Sequence, residues 1–115
     1  MKRAYNLFAA ILVATLQFSA AAHAETRVIS TSAGGAVEYR IDGTGPTVLM
    51  IPSLGRGASD FDDLSRRLVD AGFTAVRPEP RGIGKSAGKM SGITLHDLTA
   101  DAAAVIDSLG VPVEN

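Results

Sequence analysis

Between DGTGP at 42–46 and PSLGRG at 52–57 the chain reads TVLMI, an unbroken apolar run. A strand with one wet face alternates apolar and polar side chains; a strand apolar on both faces needs cover on both. TVLMI therefore predicts a strand in the middle of a sheet with packing layers above and below. That requirement points to an α/β protein of three layers, and the flanking segments can be tested against it.

Upstream, ETRVISTS and AVEYRID alternate as strands and are joined through Ala33, Gly34 and Gly35, the pattern of an antiparallel hairpin. Two glycines and a proline make DGTGP a loop. Downstream, Ser59 is positioned to cap a helix, with Asp60, Asp62 and Asp63 in its first turn and Arg66 and Arg67 later, the order the macrodipole favours. Phe61, Leu64, Leu68 and Ala71 give that helix an apolar face, and Gly72 ends it. FTAVRPE at 73–79 is again strand-like. A second helix is expected from Thr94, where T-x-x-D with Asp97 approaches a capping box, a motif that normally has Glu or Gln at its fourth position. Its stripe is Leu95, Leu98, Ala102, Val105, Ile106 and Leu109, with Gly110 as the closing residue. The predicted order is β-β-β-α-β-α, an antiparallel hairpin followed by parallel strands, and VPVEN reads as the approach to a further strand.

The first 24 residues stand apart from this pattern. MKR is a positive n-region, LFAAILVATLQF an apolar stretch, and AHA at 22–24 a small-x-small cleavage site. A cleaved export signal at 1–24 is expected, placing the mature domain at 25–115 in the periplasm or outside the cell, with no stable membrane span after cleavage. Losing Lys2 and Arg3 leaves nine basic residues against twelve acidic ones, which gives no electrostatic footprint for nucleic acid. The absence of cysteine excludes disulfides and thiolate metal sites, and no cofactor is expected.

The chemistry turns on EPRGIGKSAG at 79–88, which has three readings. GIGKS resembles the end of a phosphate-binding loop, but the motif's first glycine would be Glu79, whose carboxylate repels phosphate, and Pro80 and Arg81 stiffen the loop. GKSAG matches G-x-S-x-G, yet Ser86 is neither directly preceded by a strand nor directly followed by a helix, as a nucleophile elbow requires. The mature chain has one histidine, His96, off the apolar stripe of its helix, where a solvated side chain is expected. A structural turn at the rim of the sheet remains.

In that setting three blocks, in order and at gapless spacing, resemble the N-terminal half of an α/β-hydrolase of the esterase, epoxide hydrolase and haloperoxidase type. GTGPTVLMIPSLGRGASDF resembles the strand and oxyanion loop, with Pro52-Ser53 where His-Gly is usual. PEPRGIGKS resembles the P-D-x-R-G-x-G-x-S turn, with Glu79 in place of the usual Asp. TLHDLTADAAAVIDSLGV resembles the next helix, including Asp101. The resemblance implies a hydrolase acting on an ester, epoxide or similar small apolar substrate. It implies that the Leu54 backbone N–H serves the oxyanion hole, with Ser53 and Gly55 in the same substrate loop. Arg81 and Asp101 are expected to anchor the rim turn and the helix. Nucleophile, acid and base would follow later, so residues 25–115 are expected to be a partial domain, inactive by itself. The competing reading is a small exported binding domain without catalysis.

Overall fold

The computed structural model describes residues 24–110; the expected leader, apart from Ala24, and the expected strand approach at 111–115 lie outside the described residues. Strands β1 (Glu25–Ser30) and β2 (Ala36–Asp42) form the antiparallel hairpin. Strand β3 (Thr47–Leu49) leads through a loop into a 3₁₀ turn (Ala58–Phe61) and helix α1 (Asp62–Asp70). Strand β4 (Thr74–Pro78) and helix α2 (Leu95–Leu109) follow. The sheet order is β1-β2-β4-β3, with β2 and β4 antiparallel and β3 and β4 parallel. The expected α/β order and strand directions are present.

The chain starts β4 by a close backbone crossing. Thr74 donates its N–H to Pro46 O at 2.8 Å and its hydroxyl to Gly45 O at 2.9 Å. A Cβ on Gly45 would lie 2.1 Å from Gly72 O, so the crossing needs glycine there. Among the described residues β3 is paired on one side only, by β4, and it is shorter than TVLMI suggested. Met50 still donates to Val76 O at 2.9 Å, after which the backbone turns away.

The two faces of the sheet differ in chemistry. Val37, Tyr39 and Val76 point toward α2 and bury Val105, with Ile29, Ile41, Leu49 and Leu109 packed around them. Burying each such side chain stabilises by about 1.5–3 kcal/mol, so this face holds the core. The opposite face is ionic. Arg77 pairs with Asp42 (3.1 Å) and Asp62 (2.5 Å), and Arg40 lies 3.7 Å from both Asp62 and Glu79.

That ionic face corrects the expectation for α1. Ser65 is the buried residue of the helix, within 3.5 Å of Asp42 Oδ2, whereas Leu64 is 45% exposed and Ala71 is exposed. Facing charged groups, the helix presents Asp62 and Ser65 to the sheet, which apolar spacing alone could not reveal. The expected Ser59 cap is also absent. Ser59 lies inside the 3₁₀ turn, and the N–H of Ala58 is taken by the Glu79 carboxylate instead.

Helix α2 begins as expected and better than expected. Thr94 and Asp97 form a complete capping box: Asp97 Oδ2 accepts the Thr94 N–H at 2.8 Å, and Thr94 Oγ1 accepts the Asp97 N–H. The shorter aspartate suffices here. Gly110 closes the helix at φ 62°, a left-handed value suited to glycine. Of the stripe, Leu95 departs, being 72% exposed one residue after the cap. His96 is exposed, as expected. No described helix is long and apolar enough to cross a membrane.

Candidate functional site

Strands β3 and β4 run parallel, so the loops that follow them emerge at the same, carboxyl edge of the sheet, where open α/β sheets bind ligands. The first of these loops holds the expected site residues. Pro52 is buried, and Ser53, Leu54, Gly55 and Arg56 form an exposed turn closed by Arg56 N–H to Ser53 O at 3.0 Å. Gly55 occupies its third position with φ 75°, the value that makes such a turn favour glycine. Ser53 needs no such freedom, since no described non-glycine residue has positive φ.

Leu54 is 75% exposed. Its N–H has no acceptor among the described residues. The turn therefore brings Ser53, Leu54 and Gly55 together at the carboxyl edge, and the N–H groups of all three are without an acceptor among the described residues. Beyond the turn, Arg56 pairs with Asp60, whose carboxyl is held below its ordinary range by hydrogen bonding to that guanidinium.

The second loop is 79–93, and it resolves the three readings of EPRGIGKSAG. Ser86 is 3% exposed, and both functions of its hydroxyl are committed. It accepts the Glu38 N–H at 2.9 Å and donates to Glu79 O at 2.8 Å. Glu79 already donates its N–H to Glu38 O at 2.8 Å. The hydroxyl thus completes the last rung of the β2–β4 ladder, relaying a bond that Glu38 and Glu79 do not make directly. A nucleophile needs a free oxygen, and this one is structural.

The phosphate reading fails on the same residues. The Lys85 N–H is donated to Glu38 Oε2 at 2.9 Å, so a carboxylate of the protein takes an amide that a phosphate loop would offer its ligand. The loop is pinned further by the Ala36–Ala87 bridge, with bonds of 2.8 and 2.9 Å. Arg81 forms a two-bond pair with Asp101 on α2, at 2.7 and 3.0 Å, and donates to Lys89 O at 2.9 Å. The Asp101 hydrogen bond pushes the already high Arg81 pKa further up. The two residues anchor rim turn to helix, as expected.

Glu79 is the residue that reasoning from sequence missed. Its carboxylate is buried and accepts the Ala58 N–H at 2.9 Å, tying the second loop to the first. A charged residue ending an otherwise buried strand was the available signal. Among the described residues no group of three or more His, Cys, Asp or Glu side chains is placed to hold a metal ion.

No family model matches the chain, and no curated protein sequence does so either. Solved structures do. An epoxide hydrolase from Vigna radiata is 30% identical with a TM-score of 0.69, over 76% of this chain and 28% of that one. An epoxide hydrolase from an endophytic Streptomyces is 28% identical with a TM-score of 0.68, over 76% and 27%. An esterase from Exiguobacterium antarcticum has a TM-score of 0.70 over 76% and 32%, and at 23% identity it bears on the fold alone. The chain thus spans less than a third of the length of these three enzymes. On sheet order and these structural matches, the chain holds the N-terminal portion of the α/β-hydrolase fold.

Proposed function

We propose that the protein is, or begins, an exported hydrolase that acts on an ester, epoxide or similar small apolar substrate, with the Leu54 N–H as one oxyanion donor. The observation that carries this reading is the Leu54 turn: an unpaired backbone N–H at the carboxyl edge of a parallel strand pair, in a chain whose structural neighbours are hydrolases. When a nucleophile adds to an acyl carbon, the carbonyl oxygen takes up negative charge. A fixed N–H aimed at that oxygen lowers the barrier because it needs no reorganisation as the charge develops. In this reading the nucleophile, acid and base lie outside residues 25–115, so that segment alone hydrolyses nothing. The leader at 1–24 supports export, and N-terminal sequencing of the secreted protein is expected to start at Glu25.

The test is Leu54→Pro in the complete gene product. Leu54 is the second residue of the turn, a position where proline is favoured, so the substitution removes the donor while keeping the turn. A loss of roughly 10²–10³ in kcat on a p-nitrophenyl ester or an epoxide is expected, with only a modest change for Leu54→Ala. Folded Leu54→Pro protein with near-normal kcat refutes the oxyanion assignment. A complete product that is folded and turns over neither substrate class points to the binding-domain reading.

A further inference from the structure

The loop that carries Leu54 is held to the sheet at its two ends, and the two ends are held differently. Upstream, Met50 N–H bonds to Val76 O, an ordinary ladder contact. Downstream, the tie is a side chain: Glu79 Oε2 accepts the N–H of Ala58, a residue with no exposed surface. The other contact from the sheet at that end is long, Arg77 Nη1 to Ala58 O at 3.5 Å, while Asp60 holds the loop to the 3₁₀ turn through its N–H to Gly57 O at 3.2 Å and its carboxylate to Arg56. Inside the loop only the Arg56–Ser53 bond closes the backbone on itself.

Glu79 is well suited to act as such a tie. Its backbone is fixed on both sides, the N–H by Glu38 O and the C=O by the Ser86 hydroxyl. Its carboxylate is 5% exposed, with Arg40 3.7 Å from the other oxygen. Gly57 packs directly against it, since a Cβ there would lie 3.0 Å from Glu79 Oε2. A bond from an ionised acceptor to a backbone N–H is roughly twice as strong as a neutral one, and burial strengthens it further.

We propose that Glu79 is the positioning residue of the 52–57 loop: its carboxylate clamps the Ala58 N–H and thereby sets where the Leu54 N–H points. The clamp is a property of this chain; its effect on turnover rests on the hydrolase reading above. Glu79 does not touch the reacting atoms. It acts through the loop, so the loop's mobility and the rate should change together.

The experiment uses the complete gene product and measures amide hydrogen exchange alongside kinetics. In Glu79→Ala, exchange across 52–58 is expected to rise at least about tenfold, the mark of a local opening, while the central β2 and β4 amides stay protected. The expected kinetic signature is a kcat lowered about tenfold or more with KM changed less than about threefold, as for an interaction made in the transition state. Glu79→Gln keeps a neutral acceptor in place and should recover most of both readouts. Gly57→Ala presses on the same carboxylate from the loop side and should reproduce the exchange change if Glu79→Ala does not fold. Unchanged exchange over 52–58 in the folded variants overturns the clamp. Faster exchange with unchanged kcat per folded molecule overturns the positioning role. If the unsubstituted protein hydrolyses neither substrate class, the exchange result still decides the clamp, while the hydrolase reading fails separately.

Discussion

Replacing Ser86 by alanine separates a structural serine from a catalytic one. The substitution removes the hydroxyl that links Glu38 N–H to Glu79 O and leaves a methyl group between two backbone groups. Each stranded, buried group costs about 1–3 kcal/mol, and partial closure of the gap recovers some of that, so about 2–4 kcal/mol is expected. With an m-value of about 2–3 kcal/mol per M, the urea midpoint falls by about 1 M or somewhat more. Circular dichroism through a urea series on the complete gene product gives the midpoint, and turnover measured in the absence of urea gives the catalytic effect. The expected pair of results is a lowered midpoint with activity per folded molecule retained. An unchanged midpoint with abolished turnover would mean that Ser86 is the nucleophile and that its two hydrogen bonds were misjudged.

Asp101→Asn weakens the pair that holds the buried Arg81 side chain, and a loss of about 2–3 kcal/mol in urea unfolding is expected, as for hydrogen bonds to a charged group. Asp97 is held below its ordinary carboxyl range chiefly by the Thr94 hydroxyl and then by the Thr94 N–H. Its pKa is lower folded than unfolded, so its contribution to α2 is present above pH of about 4 and is lost as pH falls below that; exchange of the Thr94 and Asp97 amides followed through acid pH should show the loss. The isolated 25–115 segment, with β3 paired on one side, should bind ANS, melt without a sharp transition and hydrolyse no p-nitrophenyl ester above background. A soluble segment with a sharp melt and esterase activity would contradict both that prediction and the division of the site across a longer chain.

What was legible in the sequence is what depends on local pattern. The hairpin follows from alternation around Gly34 and Gly35, α2 from its cap and stripe, and the rim position of the Leu54 turn from an apolar strand running into Pro52 and Gly55. What was not legible depends on groups far apart in the chain. Of the apolar face expected for α1, Phe61 and Leu68 are half-buried, but the residue buried most is Ser65, a choice made by Arg77 and Asp42, which enter from β4 and β2. Ser59 reads as the cap of the helix after β3 because a cap is normally local, whereas a 3₁₀ turn precedes that helix and the acceptor for its Ala58 N–H is Glu79, 21 positions away. Ser86 illustrates the same limit. Its context excluded an elbow, yet nothing nearby announced that its partners would be Glu38 and Glu79.

The contrast between the faces of the sheet means that its two helical layers respond to temperature in opposite senses. The α2 layer rests on Val37, Tyr39, Val76 and Val105, and apolar contact of that kind weakens on cooling. The α1 layer rests on Arg77 between Asp42 and Asp62, and the cost of taking such charges out of water falls on heating. Chilling should therefore loosen α2 from the sheet before α1, while warming shifts the burden of cohesion toward the ionic side. A variant adapted to the cold would have its substitutions beneath α2, and one adapted to heat would keep Arg77 and its two carboxylates intact.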